Sequence, residues 1–518
     1  MQRFDFPDWS DVGEVISTNP ATGEQRSLGF DEDGPADVVA ATELAASALD
    51  NYANRPLTWR AGLLRAMAEE LDNDAANLVA LAGTETALPA PRLEGELRRT
   101  VFQLRFFADV VTEGSFLDAT IDHATDSPMG PLPDLRRMRS PIGVVGVFGS
   151  SNFPFAFSVP GGDTASALAA GCPVVIKAHP AHPSTSAATF EALQRGARRC
   201  DAPQGTVNLI FGLDAGTALV EAPSTGAIGF TGSVGAGLAL WERANARAVP
   251  IPFFGELGSA NPMVVTESAA EERGAEIGAG LAGSMTLGVG QFCTKPGLVF
   301  VPSGEHGDVL VASTVESLSS LGTFTMLSSS IADHFRRGAE AIAAIGDVRP
   351  LVQQDAGRDA HTAAQLYEVD AARFVGRDAY ALREECFGPI ALIVRYGSYE
   401  ELRDALLASE PALTFSLFCV ENDEFGQGLM ELGARRSGRV IVNGFPTGVG
   451  VSWSMQHGGP WPSTTSSAGT SVGAAAIERW LRPVTFQSTP DELLPPALRE
   501  SNPLSVPRRV DGVLAHDH

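Results

Sequence analysis

The chain has 518 residues, with 62 acidic against 37 basic side chains and a formal net charge of −25. A charge of that sign argues against a nucleic-acid backbone or an anionic membrane surface as the natural partner. With 44% hydrophobic and 19% charged residues the composition is globular and excludes wholesale disorder, and at roughly 100–200 residues per domain the length holds two to four domains.

The N-terminus, MQRFDFPDWSDVGE, lacks a basic stretch followed by an apolar run, so no signal peptide is expected, and a cytoplasmic location follows. The next hundred or so residues read as helical. Residues 61–78 and 94–111 repeat apolar side chains at three- and four-residue spacing. Segment 125–139 is rich in Pro, Asp and Arg and predicts a linker or an exposed hairpin. Residues 140–162 are apolar and uncharged, but Pro141, Pro154, Pro160 and several glycines break them, so they predict a strand and a loop rather than a membrane span.

From Gly143 short apolar runs alternate with helical stretches. GVVGVF, PVVIK, TVNLIFG, AIGFTG and PIPFFGEL are separated by TASALAAG, SAATFEALQRG, GTALVEA and SVGAGLALWERANA. Repeated strand–helix units of this length predict a parallel, doubly wound sheet, which binds ligands at the carboxyl ends of its strands. A second α/β region runs over 261–444, with helices near 269–287 and 328–345 and strands ALIVRY and RVIVNG. Beyond Pro446 the chain is rich in Gly, Ser, Thr and Pro, as pocket-lining loops are, and RPVTFQ is the last strand signal.

Five cysteines (Cys172, Cys200, Cys293, Cys386 and Cys419) are present and no two are spaced as CxxC, which speaks against a disulfide framework or a zinc knuckle. Cys293 stands in GVGQFCTKPG, where glycines and a proline suit an exposed turn better than a core. A thiol on such a loop, or at a helix start that lowers its pKa, is a nucleophile; the alternative is a buried structural thiol. Glu256 closes the apolar strand of FFGELGSANP, either as a general base with a raised pKa or as a turn or cap carboxylate. Asn152, after GVVGVF, can donate to a developing oxyanion or form an Asx turn before Pro154.

Gly232, Ser233 and Gly237 in FTGSVGAG make a glycine-rich strand-to-helix turn, which can hold a pyrophosphate or be a plain Ser cap; the GxGxxG fingerprint is not met. Lys177 ends PVVIK, where a cation can reach a ribose or a phosphate. Nine histidines occur without HExxH or another ligand spacing, so no metal is expected.

In order along the chain, PIGVVGVFGSSNFPF, PVVIK, FTGS, ELGSANP, GQFCTKPG and EECFGPI resemble the aldehyde dehydrogenase superfamily over nearly the whole length. FFGELGSANP, GQFCTKPG and HGGPWPSTT are similar to a branch with α-ketoglutaric semialdehyde (2,5-dioxopentanoate) dehydrogenases and an NADP-dependent fatty aldehyde dehydrogenase.

The resemblance implies a doubly wound cofactor domain over 1–124 and 140–255 and a catalytic α/β domain over 256–470. It also implies an oligomerisation and bridging element from 125–139 and 471–518, forming a homodimer or homotetramer. It makes Cys293 the nucleophile, Glu256 the general base, and Asn152 with the Cys293 N–H the oxyanion hole. Lys177, Ser233 and the flanking Gly232 and Gly237 face the adenosine and pyrophosphate, and Glu385 and Phe387 the nicotinamide ribose and ring. The reaction is oxidation of a small aldehyde through a cysteine thiohemiacetal and thioester.

Three departures from the family pattern bear on specificity. Ser150 and Ser151 precede the retained Asn152. Pro180 replaces the glutamate of NAD-preferring members, which makes NADP the expected cofactor, with NAD possible and His179 and Lys177 as phosphate contacts. Pro160 stands where succinic semialdehyde dehydrogenases carry an arginine, so an acidic substrate needs another cation. Competing readings are a fatty aldehyde enzyme with Phe153, Phe155, Phe157 and Phe292 along its tunnel, a cysteine hydrolase pairing Cys293 with His457, and a non-catalytic member. An anionic protein taking an anionic cofactor also needs a local positive field, expected at Lys177, Lys295 and the helix start at Ser233.

Overall fold

The computed structural model describes residues 13–354, 357–377 and 379–515. Strands β1 (Glu14–Thr18) and β2 (Gln25–Asp31) pair as an antiparallel hairpin. Four helices follow, α1 (Pro35–Ala53), α2 (Leu57–Asn73), α3 (Ala75–Thr86) and α4 (Ala90–Glu113). The periodicity over 61–78 runs across two of them. Asp74, at φ −101° and ψ 10°, leaves the helical region and separates α2 from α3. Gly114, at φ 82°, ends α4 in the left-handed conformation that glycine adopts without a Cβ penalty.

Strand β3 (Ala119–Asp122) leads into the hairpin β4 (Thr125–Ser127)–β5 (Gly130–Leu132) and then β6 (Leu135–Pro141). The alternating region follows: β7 (Val144–Phe148), α5 (Gly162–Ala170), β8 (Val174–Lys177), α6 (Pro183–Arg199), β9 (Val207–Ile210), α7 (Leu213–Glu221), β10 (Thr225–Thr231), α8 (Val234–Ala246) and β11 (Phe253–Glu256). Its five strands are parallel in the order β11-β10-β7-β8-β9. The chain winds outward from β7 through β8 to β9, then returns to the other side of β7 with β10. That reversal opens a crevice beyond the carboxyl ends of β7 and β10.

The second region contains β12 (Pro262–Val265), α9 (Glu267–Thr286), β13 (Leu298–Pro302), α10 (Glu305–Ser319), β14 (Phe324–Thr325), α11 (Ser329–Ala343), β15 (Arg349–Gln353), β16 (His361–Thr362) and β17 (Gln365–Asp370). It continues with α12 (Ala371–Phe374), β18 (Ile390–Tyr396), α13 (Tyr399–Ala408), β19 (Ala412–Phe418), α14 (Gly426–Arg436) and β20 (Ser437–Val442). Seven strands form one sheet in the order β15-β17-β18-β13-β12-β19-β20, with only β15 antiparallel to its neighbour. Every residue of β18 and β19 is buried, as expected of parallel strands covered on both faces.

RPVTFQ lies in β21 (Leu481–Gln487), which pairs antiparallel with β6 in a third sheet ordered β21-β6-β3-β22-β23. Strands β22 (Arg508–Val510) and β23 (Val513–Ala515) lie beyond RPVTFQ, the last strand signal in the sequence. Three-residue strands are too short to show a period of two. The fully buried indole of Trp480 joins this sheet to the cofactor-type half, donating to Ser166 Oγ on α5 at 2.8 Å. Among the described residues no helix is long and apolar enough to cross a membrane.

Candidate active site

The residues singled out in the sequence gather along the carboxyl edge of the five-stranded sheet. Lys177 ends β8 and is level with Phe148 at the end of β7; Glu256 ends β11 and is level with Thr231 at the end of β10. Asn152 follows β7, and Gly232 and Ser233 follow β10, so both sides of the crevice carry them.

Glu256 does not end its strand in solvent. The HGGPWPSTT segment crosses the strand end, with Thr464 bridging Glu256, the Leu257 N–H donating to Ser463 O at 2.8 Å and the Gly255 N–H to Thr465 Oγ1 at 2.8 Å. This crossing delivers His457 to the carboxylate. His457 Nε2 lies 2.9 Å from Glu256 Oε1 and 3.4 Å from Cys293 Sγ. Ser471 Oγ donates to Glu256 Oε2, and the His457 N–H donates to Thr470 Oγ1 at 2.8 Å. Acceptance by an ionised Glu256 places the imidazole proton on Nε2. Nδ1 is buried with no partner among the described residues.

Cys293 stands on a turn, not at a helix start. Gly290 three residues earlier has φ 65°, and a Cβ there would strike the backbone of Gly388. The Cys293 loop therefore packs directly against the EECFG loop, which only glycine permits. Asn261 holds the Cys293 turn from the other side, donating from Nδ2 to Cys293 O at 2.7 Å and Lys295 O at 3.0 Å. Asn152 Nδ2 donates to Gln291 O at 2.9 Å, and Arg92 Nη2 donates to Asn152 O at 2.9 Å. One amide proton of Asn152 is thus used for aiming. Among the described residues neither the second amide proton nor the Cys293 N–H has an acceptor.

Two electrostatic expectations are corrected. The Cys293 thiol is pushed well above its ordinary value, by desolvation first and by the Glu256 charge second, so no helix start activates it. For Glu256, burial would raise the pKa, but the charge and hydrogen bond of His457 and the hydrogen bonds from Ser471 and Cys293 outweigh it and hold it below the ordinary value. The resting pair is a protonated thiol beside an ionised carboxylate, with their ligand atoms within 4.8 Å, and attack requires the thiol to lose its proton to a base. Glu256, Cys293 and His457 present donor atoms within 4.8 Å of one another. That is a possible set of metal ligands, which linear spacing could not reveal.

The cofactor-side residues fit a dinucleotide. Ser233 caps the 13-residue α8, its Oγ accepting from the Ala236 N–H at 3.4 Å, and the helix start is exposed, as an anion-binding site must be. A Cβ at Gly237 would strike Leu257, so glycine lets the helix approach the strand end. Burial lowers Lys177 to about 8, against the charge of Glu32. His179 is lowered well below its ordinary value by burial and so is neutral. The half-buried Glu385 is raised to about 7 by burial and accepts from the Ser259 N–H; its carboxylate lies where a side chain at Gly258 would stand. Phe387 follows on the same loop and is also half-buried.

Lys295 does not contribute as expected: it is buried, and its Nζ donates to Cys386 O at 3.2 Å and Ile390 O at 2.7 Å, away from the crevice. Phe153, Phe157 and Phe292 do cluster beside Cys293, with ring centroids 5.0 and 5.3 Å apart, whereas Phe155 belongs to the core. Among the groups around Glu256, the sequence marks neither Ser471 nor Thr470 as a partner. Their signal, Ser and Thr in a charge-free Gly-rich stretch, does not identify partners separated from Glu256 by about two hundred residues.

A cysteine, a carboxylate and an amide converging at the switch point of a doubly wound sheet define an enzyme working through a covalent thiol intermediate. The chain belongs to the aldehyde dehydrogenase family, whose profile matches residues 9–486. It is 45% identical to the α-ketoglutaric semialdehyde dehydrogenase 2 of Azospirillum brasilense over 508 residues, covering 97% of this chain and 96% of that protein. It is 38% identical to the α-ketoglutaric semialdehyde dehydrogenase of Acinetobacter baylyi, covering 93% and 92% of the two chains. The glyceraldehyde-3-phosphate dehydrogenase GapN of Methanocaldococcus jannaschii, solved with NADP, shares the fold with a TM-score of 0.77 at 20% identity, over 92% and 98% of the two chains.

Proposed function

We propose that this aldehyde dehydrogenase oxidises 2,5-dioxopentanoate, the α-ketoglutaric semialdehyde, to 2-oxoglutarate with NAD(P). The observation that carries the substrate is the similarity, along nearly the full chain, to two proteins named for that activity. The Cys293–His457–Glu256 cluster supports the covalent route. When bound, the nicotinamide accepts the hydride that leaves the substrate carbon.

In this reading the Cys293 sulfur bonds to the aldehyde carbon as its proton passes to Glu256. The second amide proton of Asn152 and the Cys293 N–H hold the resulting oxyanion. Loss of hydride leaves a thioester on Cys293. Once Glu256 has released the thiol proton to solvent, it takes a proton from the water that attacks the thioester, and the carboxylate product leaves as the C–S bond breaks. His457 and Ser471 keep Glu256 ionised and aimed. A cysteine hydrolase would need none of the cofactor-side residues, so the Cys293–His457 contact serves the dehydrogenase.

NADP is the preferred cofactor in this reading, because position 180 carries no carboxylate to repel a 2′-phosphate and Lys177 and neutral His179 can contact it. Glu32, whose carboxylate reaches the glycine before α7 and feels Lys177, with Asp33 and Asp214 beside it, opposes this. The free edge of β21 is where subunits of a homodimer or homotetramer would join, in a cytoplasmic enzyme. A panel of aldehydes with and without a terminal carboxylate, run with both cofactors, tests the reading. Preference for 2,5-dioxopentanoate is expected, and preference for long-chain alkanals would overturn it.

A further inference from the structure

Helix α4 sets Arg92, Glu96, Arg99, Gln103 and Phe106 on one face, at alternating steps of four and three residues. This stripe faces the crevice and the loop after Phe445. Arg92 is already neutralised: Nη1 pairs with Glu96 at 3.0 Å, and its guanidinium lies over the rings of Phe153 and Phe292 at 4.9 and 5.3 Å. Arg439 is committed to the backbone, donating to Gly448 O at 3.0 Å and Pro446 O at 2.7 Å.

Arg99 is different. It has no carboxylate within ion-pair distance among the described residues. Nε donates to Val449 O at 3.1 Å, and Nη1 reaches Gln103 Oε1 only at 3.5 Å. Nη2 is buried with no partner among the described residues. Burial lowers its pKa, and Glu96, Cys293 and Glu256 feel its charge, which places it within electrostatic reach of the nucleophile. A guanidinium held in low dielectric without a counter-ion is costly unless a ligand supplies one.

The Phe157 ring stands between Arg99 and His457. The Arg99 guanidinium lies 5.3 Å from the Phe157 ring centroid, and that ring lies 6.3 Å from the His457 ring, which touches Cys293. A five-carbon semialdehyde carries its carboxylate about 5 Å from its aldehyde carbon. With the aldehyde carbon at Cys293, a chain lying along Phe157 runs toward Arg99. Pro160, where related semialdehyde enzymes carry an arginine, offers no charge.

We propose that Arg99 binds the distal carboxylate of the substrate and is the residue that selects acidic semialdehydes over neutral aldehydes. The assignment rests on the semialdehyde reading above. Arg92 then fixes Asn152, and Arg439 straps the loop that walls the site.

The test is the ratio of kcat/KM for 2,5-dioxopentanoate to that for pentanal, in wild type, Arg99→Met and Gln103→Glu. Gln103→Glu is nearly isosteric and gives Arg99 an internal counter-ion; Gln103 Nε2 has no acceptor to lose among the described residues. Both variants should lower the ratio about 10- to 100-fold, mainly through KM for the acid. A wild-type ratio near one removes the semialdehyde reading and this assignment with it. A high wild-type ratio that persists in a variant still oxidising pentanal overturns Arg99 alone. If Arg99→Met does not fold, Gln103→Glu decides by the same ratio.

Discussion

His457→Leu tests whether the imidazole tunes Glu256. Nε2 at 2.9 Å from Oε1 stabilises the ionised carboxylate, and burial opposes ionisation. A hydrogen bond to a charged group is worth roughly 1.5–3 kcal/mol, which at about 1.4 kcal/mol per unit is about 1–2 pKa units. The sign follows directly. The bond lowers the Glu256 pKa, so its loss raises it, and the acidic limb of kcat/KM should move up by about 1–2 pH units. The assay is reduced-nicotinamide absorbance from acidic to alkaline pH, with circular dichroism and cofactor binding as controls for folding. An acidic limb that stays in place in a folded variant refutes the proposed role of His457.

Cys293→Ala should abolish dehydrogenase turnover while cofactor binding persists, read by absorbance and by cofactor fluorescence titration. Glu256→Gln keeps the shape of the carboxylate but not its basicity. It should slow both the burst of reduced cofactor, because Glu256 takes the Cys293 proton, and steady turnover, each about 10²-fold or more; a burst and a turnover at wild-type rates would place the base elsewhere. Glu32→Gln removes the acid near Lys177 and should lower KM for NADP relative to NAD; an unchanged ratio removes Glu32 from cofactor choice. Glu385, raised to about 7 by burial, is neutral below that pH and ionised above it. If its carboxylate accepts from the ribose hydroxyls, KM for the cofactor should fall as pH rises through 7, and Glu385→Gln should flatten that dependence.

Much of this enzyme was legible from its chain. The alternation beginning at GVVGVF matched β7 to β11 strand by strand, because strands covered on both faces read as short, continuous apolar runs. Cys293, Glu256 and Asn152 stand out in the sequence as turn-borne candidates because their neighbours, the glycines and prolines of turns, are local signals. The charge of −25 excluded partners but could not say where the compensating cations stand.

What only the tertiary structure decided is pairing across long separations. His457 meets Glu256 because a Gly-rich segment crosses the end of β11, and neither residue carries a local mark of the other. Whether the thiol is activated or quiet depends on burial and on one carboxylate beside it, and spacing encodes neither. Lys295 and Arg99 are both cations near Cys293. Lys295 spends its protons on Cys386 and Ile390 carbonyls, while Arg99 keeps a buried donor without a partner. That difference arises only when α4, the Phe157 loop and the 446–450 loop are packed together, since an electrostatic role is set by neighbours in space rather than in sequence.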